Sequence, residues 1–238
     1  MKIAITGYGK MGKEIEKAAL KKGDSVVAII DSSTDWNDQL SDIKKADLII
    51  DFSQPDVAVE IFLKSFALNK PVVTGTTGWY DQLDMVRQKC SELDATFFYA
   101  PNFSIGVNIF FKINRELARV MNQIDGYKVK LKEIHHVQKI DAPSGTAIRT
   151  GEEIILNSDN LKSWVNKSSD DPAELPIISK RKGKVTGTHK VIYKSDMDEI
   201  ELIHKAKSRV AFTQGALLAA TFIKDKKGIF TMEDLLNY

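Results

Sequence analysis

The sequence predicts an α/β protein in which a parallel sheet covered by helices is followed by a smaller α+β domain with a mostly antiparallel open sheet. Three observations indicate this fold class. Short apolar strands alternate with amphipathic helices over residues 1–100, a glycine-rich turn follows the first strand, and strand-like segments dominate residues 127–206. Alternating strands and helices are typical of parallel sheets, whereas successive strands favour antiparallel pairing.

The composition is that of a globular protein and argues against a polyanion-binding one. Of 238 residues, 43% are hydrophobic, and 34 Lys and Arg balance 32 Asp and Glu. No basic stripe is interleaved with aromatic residues, so we expect no nucleic-acid partner. No apolar run approaches the ~20 residues of a membrane span, so we expect no membrane partner. Cys90 is the only cysteine, which indicates a cytoplasmic protein without disulfides.

The chain opens with the pattern of a Rossmann-type dinucleotide-binding unit. A strand at Lys2–Thr6 leads through Gly7-Tyr8-Gly9-Lys10-Met11-Gly12 into a helix that runs to about Lys22. In such a unit the first glycine permits a tight turn, and the second lets a pyrophosphate approach the backbone. The third glycine allows close packing of the helix on the sheet.

The second strand, Ser25–Ile30, ends in an acidic residue suited to binding a nucleotide ribose. Asp31 lies about 20 residues past the glycines, where a carboxylate accepts hydrogen bonds from the ribose hydroxyls. Ser32 and Ser33 follow it, rather than Arg or Lys that would neutralise a 2′-phosphate. The pattern therefore favours NADH over NADPH, with a simple helix or turn cap as the alternative role of Asp31.

Three more strands and two helices complete the predicted parallel sheet. We predict strands at 46–52, 71–74 and 95–100, and helices at 56–68 and 80–93. Ligands of such sheets bind beyond the carboxyl ends of the strands. Two strands end in loops suited to presenting backbone groups to a nicotinamide ring, although each loop could be only a turn. These loops are Gly75-Thr76-Thr77-Gly78 and Ala100-Pro101-Asn102-Phe103-Ser104.

A domain boundary is predicted near Ser104. Residues 1–104, completed by residues 214–238, form the predicted dinucleotide-binding domain, and residues 105–213 form a substrate-binding and oligomerisation domain. A helix over 105–120 opens the second domain with an apolar stripe. The remaining elements are strands at 127–135, 175–180, 184–193 and 199–206, and helices at 147–156, 214–222 and 231–236.

The stretch from Glu133 to Ala147 combines proton donors, a cation and a helix start. Alternation along the preceding strand places His135 on its mainly apolar face and His136 on the opposite face, with Lys139 in the loop beyond. Ser144-Gly145-Thr146 would begin the next helix, whose unpaired N–H groups attract a carboxylate or phosphate. The combination predicts an active site.

Plainer interpretations of the same residues exist. A lone histidine is more often a structural hydrogen-bonding residue, and Pro-Ser-Gly-Thr alone is a good helix start. We expect no metal, because no third His, Cys or carboxylate lies at ligand spacing nearby. His189 and His204, in later strands without a clustered chemical neighbour, are interpreted as structural or surface residues.

With these motifs the sequence resembles the dihydrodipicolinate reductase family of the bacterial lysine and diaminopimelate pathway, nearly from end to end. The most specific motif is the His-His-x-x-Lys-x-Asp-x-Pro-Ser-Gly-Thr-Ala block that starts at His135. The glycine loop, Gly75–Gly78, Asn102–Asn108, and the segment from His204 to Ala216 also match. Two departures are a glycine loop one residue shorter than in many relatives and a compressed span from Asp31 to Lys45.

The resemblance implies the reduction of 4-hydroxy-tetrahydrodipicolinate, a small dicarboxylate, with NADH or NADPH, by a homotetramer joined through the substrate-domain sheet. It implies that His135 is the catalytic acid and Lys139 the catalytic lysine. The implied substrate-binding residues are His136, Ser144, Gly145 and Thr146. The implied cofactor-binding residues are Gly7, Tyr8, Gly9, Lys10, Met11, Gly12, Asp31, Gly75, Thr76, Thr77, Ala100, Pro101, Asn102 and Phe103.

Two other functions would use a similar scaffold. A semialdehyde or amino-acid dehydrogenase would keep the glycine loop but replace the histidine block. A dinucleotide-sensing regulatory protein would bind NAD(H) without consuming it. The intact His135 and Lys139 argue against the second alternative.

Overall fold

The computed structural model describes residues 1–208 and 210–237, without the side chains of residues 33 and 34. The chain divides into two units. One unit comprises Met1–Ile105 and Val210–Tyr238, and the other comprises Gly106–Arg209. Among the described residues, no helix has both the length and the apolar character required to cross a membrane.

The first unit contains a six-stranded sheet in which every neighbouring pair is parallel, in the order β11-β5-β4-β3-β1-β2. Its central strands are buried on both faces, which explains their continuous apolar sequences. The strands are β1 (Lys2–Thr6), β2 (Ser25–Ile30), β3 (Leu48–Asp51), β4 (Val72–Thr74), β5 (Thr96–Tyr99) and β11 (Gly228–Phe230).

Seven α-helices of the first unit lie in the described part of the chain. The helices are α1 (Lys10–Lys22), α2 (Ser33–Asp38), α3 (Leu40–Lys45), α4 (Pro55–Ala67), α5 (Leu83–Glu92), α8 (Val210–Ile223) and α9 (Met232–Leu236). Helix α1 ends where Gly23 takes the left-handed conformation, with a φ of 87°. Its buried Ile15 and Ala19 pack in one core with Ile3, Ile5 and residues of α8.

The second unit contains a five-stranded sheet in the order β10-β9-β6-β8-β7. Its strands are β6 (Lys128–His135), β7 (Ser163–Val165), β8 (Glu174–Arg181), β9 (Gly187–Lys194) and β10 (Glu199–Ala206). The helices α6 (Ile105–Met121) and α7 (Gly145–Leu156) supply apolar side chains to its core. That core includes Phe110, Phe111, Leu131, Ile154 and Val191.

The α/β class is confirmed, but the second sheet is mixed rather than mostly antiparallel. Strands β10, β9 and β6 pair antiparallel, whereas β8 pairs parallel with both β6 and β7. Between β6 and β8 the chain runs back along the sheet through α7. Strand β8 therefore runs in the same direction as β6. A crossover through a helix produces parallel pairing.

Four short elements of the described residues were not predicted. Helices α2 and α3 occupy the span that looked compressed, and β7 and β11 contain three residues each. The start of α2 does carry a local signal, a capping box formed by Ser32 and Asp35. Neither β7 nor β11 shows a hydrophobic period in the sequence, so their pairing partners define them.

Candidate active site

The glycine loop between β1 and α1 leaves open space at only one of its three glycines. A Cβ on Gly7, whose φ is 80°, would lie 2.3 Å from the carbonyl oxygen of Phe52. A Cβ on Gly12 would lie 2.3 Å from the carbonyl oxygen of Gly7. No atom lies within 4 Å of a Cβ on Gly9. This arrangement fits a dinucleotide, because a pyrophosphate needs close access to the backbone of the second glycine.

The acidic residue after β2 contacts the same loop. The backbone N–H of Tyr8 donates a 2.8 Å hydrogen bond to Asp31 Oδ1. The Asp35 carboxylate accepts hydrogen bonds from the backbone N–H groups of Asp31 and Ser32, each at 2.9 Å. Asp31 is exposed, so its carboxylate is accessible from solvent.

The two other predicted nucleotide loops follow β4 and β5 in the same unit. Thr76 is buried, and its carbonyl accepts a 2.8 Å hydrogen bond from Trp79 Nε1. After β5, the side-chain oxygen of Asn102 accepts from the N–H of Ser104 at 2.9 Å, and Phe103 is buried. All the predicted cofactor residues therefore follow the carboxyl ends of strands of one parallel sheet, with Lys10, Met11 and Gly12 in the first turn of α1.

In the second unit, four buried side chains form a cluster that we call the Glu133 cluster: Glu133, His135, Ser144 and His189. The Ser144 hydroxyl donates a 2.5 Å hydrogen bond to Glu133 Oε2, and the Ser144 N–H also donates to this carboxylate. His135 Nδ1 lies 3.3 Å from Glu133 Oε2, and His189 Nε2 lies 3.2 Å from Ser144 Oγ. The two imidazole rings are 5.1 Å apart between centroids.

The cluster shifts the pKa values of two of its members. Burial alone raises the pKa of Glu133, but the contacts with His135 and Ser144 outweigh burial and lower the pKa to about 2. Burial, followed by the nearby His135, lowers the pKa of His189 to about 4. At neutral pH, Glu133 is therefore an anion and His189 is uncharged.

Lys139 lies in the loop after β6, and Arg181 on the neighbouring strand holds that loop. The Arg181 guanidinium donates to the backbone carbonyls of Lys139 at 3.1 Å and Asp141 at 2.5 Å. It also lies 3.6 Å from Glu133 Oε1. The ammonium group of Lys139 is 2.7 Å from the exposed carboxylate of Asp141, which lowers the pKa of Asp141. Lys139 thus has Asp141 as its counter-ion.

The start of α7 presents hydrogen-bond donors without acceptors. Ser144 is the N-cap, and its oxygen accepts from the N–H of Ala147 at 3.2 Å. Within the described part of the chain, no acceptor faces the N–H groups of Gly145 and Thr146, and Gly145 is exposed. Such a helix end binds anions through these donors and the helix dipole. The Ser144 hydroxyl itself is already engaged by Glu133.

His136 does not join the Glu133 cluster. It lies after the last residue of β6 and is half-buried. Its Nδ1 is buried, and no hydrogen-bond partner for this atom occurs among the described residues. The opposite placement of the two adjacent histidines is consistent with the alternation of side chains along a strand.

Glu133 lies in the predicted active-site stretch but was assigned no role, and His189 and Arg181 were not predicted as site residues. The interpretation of His189 as a residue without chemical neighbours was wrong. The sheet register explains the error, because Glu133 lies opposite His189 on β9 and His135 lies opposite Arg181 on β8. Glu133, His135 and His189 also have the spacing of a possible three-ligand metal site, which the sequence did not reveal. The hydrogen bonds from Ser144 and the nearby Arg181 engage the Glu133 oxygens, so we interpret the cluster as a hydrogen-bonded network.

The parallel sheet with its glycine loop in one unit, and the histidines and lysine near the start of α7 in the other, fit a nucleotide-dependent class of enzyme. The protein is a nucleotide-dependent oxidoreductase. Two family models match the chain. The model described as "Dihydrodipicolinate reductase, N-terminus" matches residues 1–103, and the model described as "Dihydrodipicolinate reductase, C-terminus" matches residues 106–236.

Known proteins resemble the chain over its full length. A 4-hydroxy-tetrahydrodipicolinate reductase of Christiangramia forsetii is 44% identical over 237 residues, which are 100% of this chain and 98% of that protein. Another, from Akkermansia muciniphila, is 35% identical over 99% of this chain and 97% of that protein. The dipicolinate-bound dihydrodipicolinate reductase from Paenisporosarcina sp. TG-14 has the same fold, with a TM-score of 0.81 at 24% identity over 98% of each chain. The chain belongs to the dihydrodipicolinate reductase family.

Proposed function

We propose that this chain catalyses the NAD(P)H-dependent reduction of 4-hydroxy-tetrahydrodipicolinate to tetrahydrodipicolinate in the diaminopimelate route of lysine biosynthesis. Family membership over both units supports this reaction. The observation that carries the proposal is the Glu133 cluster, in which His135 is held at the end of β6 close to the start of α7. A proton donor and a carboxylate-binding site are the two groups that this reduction requires of the substrate domain.

His135 is the proposed proton donor. The family's substrate, after loss of water, contains an imine conjugated to a carbon-carbon double bond. When bound, the reduced nicotinamide supplies a hydride to ring C4. Histidine is the most common general acid in enzymes, so His135 is assigned the delivery of the proton that completes the reduction at C3. The contact of its Nδ1 with Glu133 orients the ring.

The substrate carboxylates are assigned to the loop and helix start after β6. The N–H groups of Gly145 and Thr146 clamp one carboxylate, and Ser144 holds the helix start in place through Glu133. The Lys139 ammonium group leaves the Asp141 carboxylate and pairs with the substrate. There it stabilises the negative charge that develops as the ring is reduced. His136, whose Nδ1 has no partner in the described part of the chain, helps to orient the ring.

NADH is the proposed preferred cofactor. The exposed Asp31 carboxylate lies beside the Tyr8 N–H, and the Asp35 carboxylate caps the same turn. Two carboxylates at the end of β2 favour ribose hydroxyls and repel a 2′-phosphate. Replacing Asp31 with Ser is therefore expected to reduce the preference for NADH over NADPH, measured as the ratio of the two kcat/KM values.

We propose that the protein is a cytoplasmic homotetramer. We also propose that residues 1–104 and 214–238 form the dinucleotide-binding domain. Residues 105–213 then form the domain that binds substrate and makes the subunit interface. Strand β10 lies at one edge of the second sheet and carries Ile200 and Ile203, which are 38% and 41% exposed. An edge strand with exposed apolar side chains favours pairing with another chain. Light scattering coupled to size-exclusion chromatography measures the subunit number, and a monomer would contradict this assembly.

The function is tested by following oxidation of the reduced nucleotide at its characteristic absorbance. The substrate is made in situ from pyruvate and aspartate semialdehyde by the preceding condensing enzyme. NADH and NADPH are compared for the wild type, His135→Ala and the control His204→Gln. His204 lies in the same unit and packs against Phe110, with ring centroids 6.1 Å apart.

We expect turnover by the wild type and the control, and a loss of about 10²–10⁴-fold in kcat for His135→Ala, as for removal of a positioned acid. An unchanged rate in His135→Ala would remove this residue from the mechanism. Binding of a nucleotide without any turnover by the wild type would instead favour the dinucleotide-sensing function.

A further inference from the structure

A buried carboxylate joins three strand ends of the parallel sheet. Asp51, the last residue of β3, is fully buried. Its Oδ1 accepts hydrogen bonds from the Thr6 hydroxyl at 2.8 Å and the Ser53 N–H at 3.3 Å. Its Oδ2 accepts from the hydroxyls of Thr74 and Thr76, both at 2.7 Å. The carboxylate therefore bonds to β1, to β4 and to the loops that follow β3 and β4.

These partners lie beside the two nucleotide loops. Thr6 directly precedes Gly7, and Thr76 belongs to the loop after β4. Phe52, which follows Asp51 in the chain, fills the space between the two loops. A Cβ on Gly7 would lie 2.3 Å from the Phe52 carbonyl oxygen, and a Cβ on Gly75 would lie 2.2 Å from the Phe52 ring. Gly7 therefore packs against the backbone of Phe52, and Gly75 packs against its ring. Both loops thus contact the residue next to Asp51.

From this geometry, and resting on the nucleotide-dependent function proposed above, we propose that Asp51 is a positioning residue of the dinucleotide site. It sets the separation of the Gly7–Gly12 loop and the Gly75–Thr77 loop before the nucleotide binds. A carboxylate suits this role because it accepts all four donors, whereas an amide can accept only through one oxygen. Preorganised loops lower the ordering cost of binding, so loss of the carboxylate weakens nucleotide affinity.

The test uses Asp51→Asn and Thr74→Val in the full-length protein. Thr74→Val removes one hydroxyl that bonds to Asp51 while nearly keeping the side-chain shape. Thr96→Val is the matched control, because Thr96 is also a buried threonine of the same sheet and donates one 2.6 Å hydrogen bond, to the Lys226 carbonyl. Isothermal titration with NADH measures the Kd, thermal unfolding measures the Tm, and steady-state kinetics separate kcat from the two KM values.

We expect Asp51→Asn to raise the NADH Kd about tenfold or more, as for the loss of one hydrogen bond to a charged group. The nucleotide KM should rise with it, while the substrate KM stays within about twofold, because the substrate residues lie in the other unit. Thr74→Val should raise the Kd by a smaller factor. Thr96→Val should lower the Tm without changing the Kd.

Two results would overturn the positioning role. One is a wild-type Kd in Asp51→Asn. The other is an equal effect of Thr74→Val and Thr96→Val on Kd, which would reduce the network to general support of the sheet. A wild-type protein that binds neither NADH nor NADPH would overturn the nucleotide-dependent function itself, and the positioning role with it.

Discussion

Glu133→Gln is the most direct perturbation of the proposed acid site. The Glu133 side chain is fully buried, and its oxygens accept two hydrogen bonds from Ser144 and contact His135 and Arg181. A glutamine of the same shape keeps one acceptor but directs an NH₂ group at a donor. It also leaves Arg181 without its nearby negative charge.

The expected loss of stability follows from the pKa of Glu133. The folded-state pKa is about 2, below the ordinary glutamate pKa of 4.5. The folded state therefore favours the ionised carboxylate by about 3 kcal/mol, an order-of-magnitude value that is fully present above pH 4.5 and is lost as the pH falls towards 2. A glutamine does not ionise and lacks this stabilisation. The free energy of unfolding of Glu133→Gln at pH 7 should therefore be about 3 kcal/mol lower than that of the wild type.

The expected loss of activity is separate from the loss of stability. Glu133 orients His135 and the start of α7, and misplacement of a catalytic group by about 1 Å can reduce the rate by about 10²-fold. We therefore expect kcat to fall by about this factor under conditions where the variant is fully folded. The Kd of the nucleotide should not change, because the predicted nucleotide residues belong to the first unit.

Glu153→Gln provides the matched control. Glu153 is also a poorly exposed glutamate of the second unit, and its carboxylate bonds to Arg115 at 2.8 Å. Urea unfolding and nucleotide oxidation are measured for both variants. If Glu133→Gln retains kcat within about threefold of Glu153→Gln, the positioning of His135 by Glu133 is refuted.

Three further outcomes are expected. Lys139→Ala should raise the substrate KM by about tenfold or more in initial-rate assays, because a charged partner of the substrate is lost; an unchanged KM would contradict its role. Gly9→Ala should abolish nucleotide binding in titration yet change the free energy of unfolding by less than about 0.5 kcal/mol, since its Cβ meets no atom within 4 Å. Destabilisation comparable to that of Gly12→Ala would show that Gly9 is packed. The folded-state pKa of His189, about 4, lies below the ordinary histidine pKa of 6.5, so stability is lost as the pH falls from 6.5 towards 4. Between pH 7 and 4.5 the wild type should lose about 2–3 kcal/mol that His189→Asn does not lose, measured by urea unfolding; equal losses would contradict a buried, uncharged His189.

Local sequence predicted the elements whose signals lie within a few residues. The glycine loop, the alternation of β6 and the Ser144 cap each depend on neighbouring residues, and the structure contains β1, α1, β6 and α7 near the predicted positions. Prediction failed where the signal is not local. Strands β7 and β11 show no local period, and only pairing with β8 and β5 defines them.

The sequence by itself determined the α/β class, the dinucleotide loop and the chemistry concentrated between His135 and Thr146, because motifs of fixed spacing encode these features. Tertiary structure alone decided the partners of that chemistry. Strand pairing places His189 opposite Glu133, and the ends of β1 and β4 both bond to Asp51 at the end of β3. Sheet register brings together residues more than 20 positions apart in the chain. No local period records such long-range contacts, so the buried networks that orient the site became visible only in the folded molecule.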